Sequence, residues 1–129
     1  MSSPDEKTKA YRDIELQAKI QNASPHKLIE MLFDGLLLRL QYAYRYAEEG
    51  NSVLRDEAIQ KSLEILIGLH ESISTQVESD LPYNLSRLYE YMQRQLLRAR
   101  IGNDLPILDE VIALVEPLAS GWREIGTNS

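Results

Sequence analysis

Ser24-Pro25-His26-Lys27-Leu28-Ile29-Glu30-Met31-Leu32-Phe33-Asp34-Gly35-Leu36-Leu37-Leu38-Arg39-Leu40 is the stretch whose reading decides the fold class. Serine followed by proline is a helix start. The hydroxyl can cap a free N–H of the first turn, and proline at the first helical position gives up an N–H that has no intrahelical partner anyway. Behind it, apolar residues recur at helical spacing through Ala43 and Tyr44, and Gly50-Asn51 supplies a stop after about Glu49. Outward from this helix the same grammar repeats. A second helix fits from about Leu54 to Val77, carrying Ile59, Leu63, Leu66, His70, Ile73 and Val77. Asp80-Leu81-Pro82 opens a third, with Leu81, Leu85, Leu88, Met92, Leu96 and Ala99 on one stripe and Gly102 at its end. Asn103-Asp104-Leu105-Pro106 starts a fourth, with Leu108, Ile112, Val115, Ala119 and Trp122. Pro117 falls inside this last pattern and predicts a kink or an early end there.

Four helices of about 20–25 residues with short connections give an all-α, antiparallel up-down four-helix bundle. It occupies 24–125, with 126–129 as a C-terminal tail. Residues 1–23 carry as many basic as acidic side chains and few large apolar ones, among them Tyr11 and Ile14. That segment reads as a mobile N-terminal arm or a short extra helix rather than a core element.

Composition narrows the function. The chain has 129 residues, room for one core. A formal net charge of -6 argues against binding a phosphate backbone, so no nucleic-acid partner is expected. There is no cysteine, which removes disulfides, thiol nucleophiles and Cys-rich zinc sites. The apolar run Leu36-Leu37-Leu38 is broken by Arg39, far short of the roughly 20 residues a spanning helix needs, and the N-terminus lacks the pattern of a signal peptide. A soluble, intracellular chain without membrane insertion is the expectation.

Catalytic and metal chemistry find little support. A di-metal bundle requires Glu-x-x-His on two helices, but there are only two histidines, and His70 has no glutamate three residues before it. Its neighbours Leu66 and Ile73 turn His70 inward, as a hydrogen-bonded core histidine rather than a ligand or phosphate carrier. The serines stand mostly at caps without a base beside them, and the glycines are dispersed. No catalytic residue, metal ligand or cofactor is expected.

Apolar surface is in surplus instead. On the fourth helix a second stripe, Ile107, Val111, Leu114 and Leu118, shadows the inner one. It widens the apolar arc to about 180°, against the roughly 100° that a core-facing helix needs. On the first helix Ile29, Phe33, Leu37, Leu40 and Tyr44 run beside Leu28, Leu32, Leu36 and Ala43. Two readings stay open. The wide stripes can fill the bundle or a homodimer face, or they can form grooves for a partner's amphipathic helix. Arg87, Arg94 and Arg98 share a face of the third helix, read either as a solvated face or as docking for an acidic partner.

Three co-linear motifs resemble the flagellar secretion chaperone family FliS. They are Ala23-Ser24-Pro25-His26-Lys27-Leu28-Ile29-Glu30-Met31-Leu32-Phe33-Asp34-Gly35, then Asn84-Leu85-Ser86-Arg87-Leu88-Tyr89-Glu90-Tyr91-Met92, and finally Asn103-Asp104 through Gly121-Trp122-Arg123-Glu124-Ile125. The resemblance implies a cytoplasmic, non-enzymatic chaperone. Its partner would be the disordered C-terminal segment of flagellin, held to prevent premature polymerisation and delivered to the cytoplasmic domain of the type III export gate. Ile29, Phe33, Leu37, Ile107, Val111, Leu114 and Leu118 would then make the apolar contacts, with Tyr11 and Ile14 as a displaceable cover. The chain departs from the family pattern at Glu78-Ser79-Asp80, at Pro117 and at Arg39. The alternative is a diverged paralogue, or a homodimeric helical adaptor, serving another export substrate.

Overall fold

The computed structural model describes residues 24–76, 81–102 and 104–127, with side chains described for 24–73, 86–102 and 104–125. The expected arm with Tyr11 and Ile14 lies outside the described residues. Four helices follow one another: α1 (Pro25–Glu48), α2 (Ser52–Gln76), α3 (Leu81–Gly102) and α4 (Leu105–Thr127). Each packs on its neighbours in sequence, and α4 closes the ring against α1, so α1 and α3 stand diagonally. Among the described residues there is no strand. The architecture is the four-helix bundle expected from the sequence.

The helix ends follow from local chemistry. Ser24 Oγ accepts from the Lys27 N–H at 3.1 Å, with Pro25 in the first turn. At the other end of α1, the N–H of Asn51 donates to the Tyr46 carbonyl at 2.9 Å and that of Gly50 to Ala47 at 3.2 Å. This paired closure needs a left-handed residue, and Gly50 supplies it with φ at 72°. Asn51 then turns to the next helix, its Oδ1 accepting from the Leu54 N–H at 3.2 Å. One asparagine thus ends α1 and caps α2. Asp104 caps α4 in the same way through the Ile107 N–H, at 3.3 Å.

The interior differs from the expected stripes in an instructive way. On α1 the buried residues are Ile29, Phe33, Leu36, Leu40, Ala43 and Ala47, a 4-3-4-3-4 alternation. A run of fours advances about 40° round the helix at each step, whereas alternating fours and threes stays on one side. The inner row therefore takes members from both expected stripes and leaves Leu28, Leu32 and Leu37 half-buried. On α4 the buried row is Leu108, Val111, Val115 and Ala119, spaced 3-4-4, which takes Val111 from the second expected stripe and leaves Ile112 of the inner one half-buried. On α3 Tyr89 is buried with Met92, Leu96 and Ala99, while Leu88 is half-buried.

Pro117 does not end α4, which continues to Thr127. The proline and Ala113, whose carbonyl loses its partner, are both exposed, so water can serve that carbonyl. Beyond the proline the helix is held by buried Ala119 and by two ties to α1. Trp122 Nε1 donates to the His26 carbonyl at 3.0 Å, with the two rings stacked at 4.7 Å. Arg123 reaches Asp34 at 2.6 Å and Glu30 at 3.5 Å.

Buried polar groups are mostly answered. Ser62 donates back to the Ala58 carbonyl at 2.9 Å. Arg55 pairs with Asp56 and donates to the Arg100 carbonyl at 2.8 Å, joining the start of α2 to the end of α3. His70 behaves as the inward-facing histidine expected of it: half-buried, with Nε2 2.5 Å from Ser86 Oγ and its ring 5.5 Å from that of Tyr89.

Candidate partner-binding surface

Seven of the nine residues singled out from the sequence fall within the described side chains, and they divide by depth. Ile29, Phe33 and Val111 belong to the core, each 3% exposed or less. Leu37, Ile107, Leu114 and Leu118 are half-buried and pack against that core from outside. The first group can support a binding surface from below. Only the second can touch a partner without displacing something.

The half-buried four do not form one patch. Glu110 of α4 accepts from Tyr91 at 2.5 Å and from Gln95 at 3.3 Å, so its side of α4 faces α3. Ile107 stands three residues before Glu110, Leu114 four after and Leu118 eight after, so all three share that side. This row lies along the α3/α4 seam. Leu37 lies elsewhere: it follows Asp34 by three residues, and Asp34 faces α4 through Arg123. It belongs to the α1/α4 seam. The structure therefore places the surplus apolar surface on both flanks of α4.

Electrostatics separate the helices. α3 carries Arg87, Arg94, Arg98 and Arg100 against the single acid Glu90, whereas α4 is acidic through Asp109, Glu110, Glu116 and Glu124. The hydrogen bond to Glu110 holds the exposed Tyr91 phenol above its ordinary range. Burial pushes the Tyr89 phenol up to about 12, and among the described residues its hydroxyl has no partner.

Three features escaped the sequence reading. The Trp122–His26 stack and the Arg123 pairs depend on the antiparallel register of α1 and α4, which no local pattern carries. The third is a row of exposed apolar residues on α2 and α3. Val53, Ile67, Leu97 and Ile101 point to solvent, Ile101 at 90% exposure and Val53 at 76%. Ile101, next to Gly102, and Val53, in the first turn of α2, were hidden by their places at helix ends.

No group of three or more potential metal ligands occurs among the described residues, and no described helix is long and apolar enough to cross a membrane. Fold and surface define a small helical bundle with apolar seams left partly open, a class of module suited to holding another polypeptide. The sequence comparisons then give the family. A family model described as "Flagellar protein FliS" matches residues 7–129. The flagellar secretion chaperone FliS of Salmonella typhimurium is 38% identical over 118 residues, covering 91% of this chain and 87% of that protein. The chaperone FliSB of Pseudomonas aeruginosa is 38% identical over 117 residues (91% and 93%), and FliS of Vibrio cholerae 33% over 116 (90% and 85%). The chain belongs to the FliS family. It is a chaperone of flagellar export in that general sense, and not an enzyme.

Proposed function

We propose that this chain holds the C-terminal segment of flagellin in the cytoplasm, blocks its premature polymerisation and delivers it to the cytoplasmic domain of the flagellar type III export gate. The observation that carries this reading is the half-buried row Ile107, Leu114 and Leu118, with Leu37 on the other flank of the same helix. A disordered client must offset its ordering cost with an extended, largely apolar contact, and two seams flanking one helix offer more length than a single pocket. Ile29, Phe33 and Val111 support those seams from within. Tyr11 and Ile14 of the N-terminal segment are proposed as the cover that the client displaces.

Binding of this kind needs no nucleotide or metal, because release can follow from competing contacts at the export gate. The test is calorimetric titration of the full chain with the last few dozen residues of flagellin. Coupled folding and apolar burial predict a negative heat-capacity change and a gain in helical circular dichroism. Absence of binding by a folded chain would overturn the flagellin reading. A stable dimer in light scattering that stays intact when the flagellin segment is added would point to the homodimeric adaptor instead.

A further inference from the structure

The most exposed apolar surface among the described residues is not on α4. It lies across the bundle, on the α2/α3 seam. Arg55 of α2 donates to the Arg100 carbonyl of α3 at 2.8 Å, which sets the register of the two helices at this end. Beside that contact, Asp56, Leu97, Arg100 and Ile101 line an open pocket of about 310 Å³. Val53 precedes Asp56 by one turn and shares its side of α2. Farther along, Ile67 precedes His70 by one turn, and His70 faces α3 through Ser86. Val53, Ile67, Leu97 and Ile101 thus border one seam, each about half exposed or more. Single exposed leucines need no explanation, but four large aliphatic side chains along one seam with a pocket among them do.

On its α3 side the charges beside this seam are basic, while α2 contributes Asp56, which is paired with Arg55, and the exposed Glu64 and Glu71 near Ile67. Arg94 and Arg87 share the outer face of α3 with Leu97 and Ile101, and Arg98 stands at the far edge of that face, toward Tyr91 and Gln95. Among the described residues no carboxylate pairs with any of these arginines; Arg98 is bonded only to the Gln95 amide, at 3.1 Å. The neighbouring acid Glu110 is taken up by Tyr91 and Gln95 instead. In a chain of net charge -6, a helix with four arginines and one glutamate is the exception.

We propose that the α2/α3 seam is a second docking surface, for an acidic amphipathic helix of a partner protein. Its apolar side chains, spaced by three and four, would lie on Val53, Leu97 and Ile101, with one entering the pocket. Its carboxylates would pair with Arg94 and Arg98. The surface lies across the bundle from the α1/α4 seam and on the opposite flank of α3 from the row Ile107, Leu114 and Leu118. Its apolar part therefore stays open while a client occupies α4, and the proposal does not depend on what that client is. Guanidinium groups make this selection well, because they pair with carboxylates in fixed geometry and stack along apolar stems.

The test uses the full chain and a synthetic 16-residue helical peptide with leucines at positions i, i+3, i+4 and i+7 and glutamates elsewhere. A second peptide replaces every glutamate with lysine. The glutamate peptide should bind, with amide shift changes centred on Val53, Leu97 and Ile101, and the lysine peptide should bind at least about tenfold more weakly. Arg94→Glu with Arg98→Glu should weaken the glutamate peptide roughly tenfold, and raising salt should do the same in the parent chain. Leu97→Asp should abolish binding, whereas Leu114→Asp should leave it unchanged. Arg94, Leu97 and Arg98 are exposed, so variants there should keep the parent's helical signal and unfolding midpoint, and Leu114→Asp should stay folded with a modestly lower midpoint. Equal binding of both peptides, or no effect of the arginine reversals, overturns the proposal. So does a dimer that Ile101→Asp converts to monomer, since the occupant would then be a second copy. Loss of peptide binding after preloading with the flagellin segment overturns it too, because the seam would then be part of the client's own path.

Discussion

Val111 and Leu114 stand three residues apart on α4, and the structure predicts that aspartate will do opposite things at the two positions. Val111 is 1% exposed within the core, whereas Leu114 is half-buried at its edge. Val111→Asp gives up about 1.5–3 kcal/mol of aliphatic burial. It also places a carboxylate within the apolar core, at a cost of several kcal/mol. The sum, about 5 kcal/mol or more, approaches the 5–15 kcal/mol that holds a typical domain together. With a urea dependence of about 1–3 kcal/mol per molar, the unfolding midpoint should fall by about 2 M or more, or the chain should fail to fold. Leu114→Asp leaves its carboxylate in reach of water and costs about 1–2 kcal/mol, so the bundle survives. The assay pairs urea unfolding followed by circular dichroism with titration by the flagellin segment. The expected outcome is a folded Leu114→Asp chain that binds at least tenfold more weakly, and a Val111→Asp chain lost to folding. Burial would raise the new carboxyl's pKa at position 111 in the folded state, so its stabilising neutral form is lost as pH rises. The deficit of Val111→Asp should therefore be smaller at pH 5 than at pH 8. A Val111→Asp chain as stable as the parent would refute the assigned core. Unweakened binding by Leu114→Asp would refute the assigned surface.

Further outcomes follow from single contacts. Gly50→Ala forces a side chain into a left-handed conformation where the added carbon meets nothing within 4 Å. The cost is conformational only, about 1–2 kcal/mol in urea unfolding, and any larger loss would mean hidden contacts. Tyr89, whose phenol is held up to about 12 by burial, makes the parent lose stability as pH rises from 10 toward 12, because only the unfolded chain readily ionises there. That loss, about 2–3 kcal/mol, should vanish in Tyr89→Phe, and alkaline unfolding of both chains measures it. Because the hydroxyl has no described partner, Tyr89→Phe should be neutral or stabilising at pH 7. Trp122→Phe keeps much of the stack on His26 but removes the indole donor to the His26 carbonyl. It should lower stability by about 1 kcal/mol, read as a small drop in Tm with unchanged helix content.

What the amino-acid sequence determined is the part of this protein that depends on neighbours along the chain. Ser24-Pro25, Gly50-Asn51 and Asp104 are local devices, each acting within one turn, so helix number and boundaries were legible before any packing was known. The family likeness was legible for the same reason, since its motifs keep their order and spacing. Tertiary structure alone decided which apolar residues go inside. At 100° per residue, Ile29 and Leu28 are nearly equivalent candidates, and only the partner helices choose the alternating row that ends in Ala47. That choice drew Val111 into the core and left Leu114 at its rim. It also settled the fate of Pro117, harmless because its face of α4 meets water. The exposed seam of Val53, Leu97 and Ile101 was beyond a pattern read one helix at a time, because it exists only where two rods lie side by side.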